Sequence, residues 1–384
     1  MIRLIPGYVA YCLGNLLGSP LYFFKALKNR SERGAEWARS WGGTRLQRGA
    51  LLIVANGLGE ARVGVQAAQQ IRDDLGWDVV VLTQKASAVR AFPECGWLPY
   101  QTPWSAVLCL IQMRPRAVLC VETATNNHLC FWARILVRGH KGARVAVAAF
   151  SANFAPAQLH KMAATGMKRW RLELFQAISA QSDEFAEGIR SVYHGQVRTD
   201  FPPCMEPRVR TPKGRPIIIA GSTYREDEEL VRAAFSLLPA GAARMIIAPR
   251  KSARGEGVNW SDLLNPLDQD WDVLTLDVQG VLADLYARAR LAYVGGTLDP
   301  GLGGHTPLEA LRYGLPLTCG PEHGRQPYIK RAIDAGICQV VTTPESLAEA
   351  WQSQMNQQPD TRAVTEWYEQ GKHAYSELAR ELLT

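Results

Sequence analysis

None of the eight cysteines in the 384-residue sequence forms a Cys-x-x-Cys pair, which excludes the clustered spacing a structural zinc site needs. Cys12, Cys95, Cys109, Cys120, Cys130, Cys204, Cys319 and Cys338 are scattered, mostly in apolar runs. They read as free thiols packed as small hydrophobes in a reducing compartment. No segment repeats at a period of roughly 20–50 residues, so a solenoid or propeller is excluded. Nor is there a low-complexity tract. Charged residues make up 21% of the chain and hydrophobic ones 47%, as in ordinary globular domains. At roughly 100–200 residues per domain the length implies two domains or three, each able to bury a core.

Charge is also missing from a long stretch near the start. The 21 residues from Leu4 to Phe24 carry none. A helix of about 20 residues can cross a bilayer core. Pro6, Gly7, Gly14, Asn15, Gly18, Ser19 and Pro20 interrupt the run, and Tyr22-Phe23-Phe24-Lys25 closes it with an aromatic-basic edge of the kind found at membrane interfaces. A cleaved signal peptide calls instead for a short apolar core and a small-residue cleavage site. The expectation is a membrane anchor, spanning or shallow. A helix lying on the membrane and a buried core helix are the alternatives.

Of the net charge of +7, most sits in the first 50 residues: Arg3, Lys25, Lys28, Arg30, Arg33, Arg39, Arg45 and Arg48 against Glu32 and Glu36. Beside an apolar run this placement favours an anionic membrane surface, with Trp37, Trp41 and Trp104 as further surface contacts. No recognition motif accompanies it, so a nucleic-acid partner is not expected.

From residue 50 short apolar runs alternate with amphipathic stretches. Residues 50–55, 78–83, 117–121, 144–149 and 174–180 read as strands, with a helix over 62–75. Proline-rich residues 200–214 read as a linker. The rhythm then restarts, with strands over 216–220, 244–248, 273–276, 291–294 and 315–319 and a helix over 227–237. Strand–helix alternation predicts an α/β chain of two doubly wound, Rossmann-like domains. Their ligand is expected in a cleft, beyond the carboxyl ends of the strands. The domain boundaries fall at 1–45 for an N-terminal membrane-associated segment, 46–205 and 206–365 for the two domains, and 366–384 for a C-terminal helix packing back on the first domain.

The strongest motif runs from Tyr293-Val294-Gly295-Gly296-Thr297 to Gly303-Gly304-His305-Thr306-Pro307-Leu308-Glu309. A strand ends in two glycines, and two more open a helix. Glycines admit a phosphate to the backbone, and a helix start directs N–H groups at it. Thr306 is placed as the N-cap, Pro307 at the first helical position and Glu309 at the third. Glu309 either completes a capping box or accepts from a ribose. His305 lies at the donor site or is structural.

These residues resemble those of 3-deoxy-D-manno-octulosonic acid (Kdo) transferases, which share the two-domain GT-B glycosyltransferase fold. The family pattern is a strand ending in VGGS, then GGHNxLEP, then a GP turn, here Gly320-Pro321. Residues 220–229, with Ser222-Thr223-Tyr224, are similar to the family's AxSTHxGEEE, and Ile247-Ala248-Pro249-Arg250 to its VPRHPER. In the first half Asn56-Gly57-Leu58-Gly59-Glu60 stands in the place of SVGE, Ala180-Gln181-Ser182 in that of AQS, and residues 195–200 in that of GNLKFD. The sequence departs from the pattern at Thr306, at Lys251, at 82–88 and at 122–128, so the donor side is kept and the acceptor-facing loops are changed.

The resemblance implies inverting transfer of Kdo from CMP-Kdo to a lipid A precursor. It implies that Glu60 is the general base, where the residue alone reads equally as a first-turn helix glutamate. Arg250 would meet the departing phosphate, or is a surface arginine. Ser222 and Thr223 join the donor set of Arg250, Gly295, Gly296, Gly303, Gly304, His305, Thr306 and Glu309, or form a simple turn. Gly59, Lys85 and Glu122 fall on the acceptor side. Lys85 is otherwise a solvated lysine, and Glu122 a buried carboxylate bonded to backbone. No Asp-x-Asp pair ends a strand, so neither metal nor other cofactor is expected. The implied partners are a nucleotide-sugar donor, an anionic glycolipid acceptor and a membrane surface. The implied place is the cytoplasmic side of the inner membrane. A related GT-B enzyme of other specificity, or a non-catalytic relative, would share most of these features.

Overall fold

The computed structural model describes residues 4–16, 43–44, 46–122, 126–135, 138, 142, 144–154, 159–160, 166–199, 206–250, 255, 257–278, 280–357 and 360–382. The chain forms two compact units. One comprises Met1–Pro202 with Gly371–Thr384, the other Pro203–Gln370.

Unit 1 opens with α1 (Leu4–Leu16). Then follow β1 (Leu51–Ala55), α2 (Leu58–Leu75), β2 (Val79–Thr83), α3 (Ala86–Ala91), β3 (Gly96–Trp97), α4 (Pro103–Met113), β4 (Ala117–Val121) and α5 (Asn127–Ile135). After these come β5 (Ala146–Ala152), α6 (Gly166–Glu173), β6 (Ala177–Ala180), α7 (Asp183–Arg190) and β7 (Gln196–Thr199). The strands form one parallel sheet in the order β3-β2-β1-β4-β5-β6-β7. Parallel sheets are covered on both faces, so their inner strands read as continuous apolar runs. Every residue of β1, β2, β4, β5 and β6 is buried.

Unit 2 repeats the plan. Its elements are β8 (Ile217–Thr223), α8 (Arg225–Ser236), β9 (Arg244–Pro249), β10 (Val258–Asn259), β11 (Val273–Thr275), α9 (Leu282–Leu285), β12 (Leu291–Val294) and α10 (Leu308–Leu311). They continue through β13 (Leu317–Cys319), α11 (Pro327–Asp334), β14 (Cys338–Val340), α12 (Pro344–Met355) and α13 (Arg362–Gly371). The sheet order is β10-β11-β9-β8-β12-β13-β14, again all parallel. In each sheet the first strand has the second on one side and a later one on the other, the fourth (β4) in unit 1 and the fifth (β12) in unit 2. The topology therefore reverses between β1 and β4, and between β8 and β12. Crevices at such switch points are where open α/β sheets bind ligands.

The final helix, α14 (Ala374–Glu381), returns to unit 1. Tyr375, Leu378 and Ala379 are buried with α2 residues Ala67, Ala68 and Ile71. The Tyr375 N–H donates to Gln70 Oε1 at 3.2 Å, and Asp74 accepts from Ser376 and meets His373. The structural division falls at 370/371, five residues beyond the sequence-based boundary.

Of the charge-free run, Leu4–Leu16 forms a helix, and the remainder of the expected anchor, 17–24, lies outside the described residues. Among the described residues no helix is long and apolar enough to cross a membrane. Leu4, Tyr8 and Tyr11 are buried in the unit 1 core, where Tyr8 stacks on Phe131 at 3.6 Å and bonds His128 and Trp132. The other side of α1 is bare: Ile5 and Val9 are 46% and 51% exposed. Lys25, Trp37, Trp41 and the basic residues before Arg48 lie outside the described residues, as does Cys204. The other seven cysteines are free, as read, with close thiol pairs at Cys120–Cys130 (3.7 Å) and Cys319–Cys338 (3.5 Å).

Candidate functional site

In unit 2 the predicted donor residues gather at the β8/β12 switch point. Gly221 pairs with Val294, and the Gly295 N–H then donates to the Gly221 carbonyl at 2.9 Å. The two backbones pass so closely that a Cβ on Gly295 would lie 2.6 Å from the Ser222 carbonyl oxygen. No side chain fits there, which is the physical reason for this glycine. Ser222 and Thr223 close β8 rather than following it, and Ser222 takes a left-handed φ of 58°. The loop folds back on itself: Gly304 N–H donates to Gly296 O at 2.8 Å and His305 N–H to Gly295 O at 3.2 Å. Thr297 Oγ1 ties it to the end of β13 through the Gly320 N–H at 2.7 Å.

Asp227, given no role in the sequence reading, organises this crest. Its buried carboxylate accepts from Gly296 N–H and Tyr224 N–H (2.8 and 2.9 Å) and from the Tyr293 hydroxyl (2.8 Å). Burial raises its pKa, and the three hydrogen bonds hold it down. The signal was present, since an acid three residues after a helix-starting residue is a capping acid. In the acidic run 226–229 it was indistinguishable from its exposed neighbours.

His305 stacks on Tyr224 with ring centroids 5.6 Å apart and planes 8° from parallel. Its Nε2 is buried and has no hydrogen-bond partner among the described residues. Burial and the charge of Arg250 both lower its pKa, so the ring is neutral and one nitrogen is left to meet a ligand. The Arg250 N–H donates to Thr223 O at 2.9 Å, which anchors an exposed guanidinium beside the loop. Tyr224, the stacking partner, was also missed.

The helix after the loop is shorter than expected. It is the four-residue α10, capped by Pro307, with Glu309 in the first turn. Thr306 is exposed and makes only a long 3.4 Å contact with Leu308 N–H. Neither the Thr306 cap nor the Glu309 capping box forms. Pro307 cannot donate and has taken the cap place itself. Glu309 is half-buried, and its charge acts on buried Tyr286. The N–H groups of Gly295, Gly296, Gly303, Gly304 and His305 already donate within the protein, and no helix dipole is aimed here, so an anion at this loop would meet Arg250 and His305.

In unit 1 the β1/β4 switch point carries Glu60 and Glu122. Helix α2 starts at Leu58, four residues before the predicted start, so Glu60 lies in its first turn. Its carboxylate folds back over the turn, and a Cβ on Gly57 would lie 2.2 Å from Glu60 Oε2. Glu122 follows β4 with a left-handed φ of 54°, its N–H donating to Phe150 O at 2.7 Å. Burial, then the charge of Glu60, raise its pKa to about 7 against an opposing hydrogen bond from Asn153. Gln84 Nε2 donates to Asn56 Oδ1 at 2.8 Å beside them. Lys85 caps α3 and is exposed, and Gly59 is exposed with open space around it. The structure thus brings together Glu60 and Glu122 but leaves Lys85 and Gly59 in solvent. Residues 123–125 and Lys251 lie outside the described residues.

No family model matches the chain. By sequence it is similar to the 3-deoxy-D-manno-octulosonic acid transferase of Chlamydia muridarum, at 36% identity over 96 residues, which is 25% of this chain and 22% of that protein. The enzyme of the same name from Haemophilus influenzae is 30% identical over 159 residues, 37% of this chain and 36% of that one. The chain thus spans about a quarter to a third of the length of these curated relatives. The resemblance read from the motifs is to proteins bearing that name. By structure it is similar to a UDP-GlcNAc 2-epimerase from Neisseria meningitidis (TM-score 0.54, 12% identity, 87% of this chain and 99% of that one). A glycosyltransferase from Rickettsia africae gives a TM-score of 0.54 at 12% identity over 88% and 99%. Two parallel-sheet α/β units of the GT-B kind are common to them.

Proposed function

We propose that the chain is an inverting glycosyltransferase that moves Kdo from CMP-Kdo to a lipid A precursor or a similar anionic glycolipid. The single observation that carries the reading is the donor crest. A Kdo-transferase-like glycine loop there holds a neutral His305, with one nitrogen unpartnered among the described residues, beside Arg250. The acceptor hydroxyl oxygen attacks the anomeric carbon as its proton passes to the Glu60 carboxylate. The bond from that carbon to the phosphate oxygen breaks, and its electron pair leaves with CMP. Arg250 meets the charge that develops there. Charge neutralised in this way leaves no step that calls for a metal.

Work at the membrane surface is part of the proposal, on the cytoplasmic side of the inner membrane. Helix α4 has no charged residue, yet Trp104 and Ile111 are 59% and 55% exposed. With half-buried Val107 and Leu108 they follow i, i+3, i+4, i+7 spacing, an apolar stripe on an outer face. Tyr11 of α1 donates to Gln101, just before α4, at 3.0 Å, and Ile5 and Val9 are exposed on the other side of α1. Exposed Arg48 and Arg114 sit at the far end, where Gly49 N–H donates to Met113 O. An apolar stripe edged by arginine suits an anionic bilayer surface.

The altered acceptor-side residues favour, as a second reading, a GT-B transferase of different specificity. Thermal unfolding with CMP, UDP and GDP separates the two. A ligand at 100 times its Kd adds about 2.7 kcal/mol. For a unit of this size that is on the order of 5–10 °C in Tm. A shift with CMP alone supports the proposal, and a shift with UDP or GDP alone transfers the weight to the second reading.

A further inference from the structure

We propose that Glu122 is a positioning residue for Glu60: it stands protonated beside the Glu60 carboxylate, so that Glu60 alone carries the negative charge of the pair. The inference rests on Glu60 being the base and assigns its neighbour a part in that same chemistry.

The geometry comes from the sheet. β1 and β4 are neighbours with Val54 opposite Cys120. Asn56 and Glu122 are the residues that directly follow these two strands at their carboxyl ends. The chain then turns at Gly57, and the missing side chain there is filled by the Glu60 carboxylate, 2.2 Å from where a Cβ would be. Glu60 is thereby folded toward the end of β1 instead of out along α2. Glu122 is held on the neighbouring strand by its left-handed turn and its bond to Phe150. A non-glycine residue in that conformation is strained and persists only where its surroundings fix it. Here they do. Ser151, also left-handed at φ 54°, meets the Tyr375 hydroxyl of α14 at 3.4 Å, and the Tyr375 ring packs edge-on against Phe150 at 4.9 Å.

The groups facing Glu122 are Glu60 from α2, Tyr375 from α14 and Asn153 after β5. Glu60 opposes a second charge, and buried Tyr375 stays neutral, its own pKa raised by burial and by the charge of Glu122. Lys85 follows β2, which pairs with β1 on the side away from β4, and it is exposed. Two adjacent carboxyls cannot both ionise cheaply and titrate as a pair. The more buried member keeps the proton. When the acceptor hydroxyl gives up its proton, it goes to Glu60, and Glu122 retains its own throughout. Above neutrality Glu122 ionises as well, and the doubled charge repels Glu60 from its place and opposes an anionic donor.

The test combines carboxyl-carbon NMR of glutamate-labelled full-length protein with the pH dependence of transfer. The resonance missing from Glu122→Gln should titrate near neutrality in the wild type and move to lower pH in Glu60→Gln. This arm needs no substrate, so it reads the pair even where transfer fails. In the kinetic arm the wild type should lose rate above about pH 7. Glu122→Gln should keep at least a tenth of the wild-type rate near pH 6.5 but show no alkaline limb, whereas Glu122→Ala should lose more than tenfold in kcat with little change in KM. A Glu122 resonance titrating in the ordinary carboxylate range and indifferent to Glu60→Gln overturns the proposal. So does an alkaline limb that survives unchanged in Glu122→Gln. Normal titration of the pair with no transfer in any variant leaves the positioning arrangement standing and counts against the transferase reading alone.

Discussion

Gly57→Ala is the perturbation that isolates the position of the base from everything else. Gly57 caps α2 at φ −115°, an extended conformation open to any residue. The atom a new Cβ would meet is Glu60 Oε2 at 2.2 Å, the far end of a flexible side chain. Ordinary carbon contacts begin near 3.5 Å, so the carboxylate must retreat by roughly 1 Å or more. Glycine is a better N-cap than alanine by about 1 kcal/mol. The fold therefore loses little, about 2–4 °C in Tm for a unit of 150–250 residues. A misplacement of about 1 Å at a reacting group costs on the order of 100-fold in rate. The assay pairs thermal unfolding with single-turnover transfer. The expected result is a Tm within a few degrees of wild type and kcat down about 100-fold, with donor KM unchanged. Gly57→Ala with wild-type kcat would refute the claim that the pocket over Gly57 holds the working base. A collapse of Tm would refute the claim that the side chain can move aside.

Other consequences follow from single contacts. Removing Asp227 with Ala strips partners from Gly296 N–H, Tyr224 N–H and the Tyr293 hydroxyl; a loss of about 3 kcal/mol and of nucleotide binding is expected, read by denaturant unfolding and calorimetry. Replacing Tyr224 with Leu removes the plane that orients His305 and should weaken nucleotide affinity several-fold with Tm nearly unchanged, read by titration calorimetry. His128 is buried with its pKa lowered to about 4 by burial, and the Tyr8 hydroxyl lies 2.8 Å from its Nδ1. Because the folded value lies below the unfolded one, the stability linked to this group is complete above about pH 6.5. It is lost as pH falls toward 4, up to about 3 kcal/mol in all. Hydrogen exchange in α1 should accelerate over that window, and His128→Gln should flatten the response. Trp104→Glu with Ile111→Glu should cut binding to anionic vesicles at least tenfold in sedimentation assays while leaving nucleotide binding intact.

Much of the fold was legible because parallel strands buried on both faces spell themselves out. Leu51–Ala55, Ala117–Val121 and Leu291–Val294 fell within a residue of the readings made from their apolar runs. Helix starts were less legible. At Gly57-Leu58-Gly59 two glycines hide the first turn of α2, and at Pro307 the ring claims the cap place that the sequence offered to Thr306. The N-terminal run shows the limit of composition. Its lack of charge suited a membrane equally with a core, and only the stacking of Tyr8 on Phe131 and its bonds to His128 and Trp132 reveal that one side of α1 is packed inward. In the candidate site the glycine loop was visible because its backbone approach admits no side chain. Asp227, Tyr224 and Tyr375 were not, because each acts through a partner distant in sequence: 69 residues for Gly296 on Asp227 and 224 for Ser151 on Tyr375.

The most direct test of the central claim is a mass-spectrometric transfer assay. Purified full-length protein is given CMP-Kdo generated in situ and a tetra-acylated lipid A precursor, with Glu60→Ala alongside. The account predicts the mass of added Kdo on the lipid with the wild type, and at least a 100-fold lower rate with the variant. A folded wild type that binds CMP yet adds no Kdo, or a Glu60→Ala protein as fast as wild type, would contradict it.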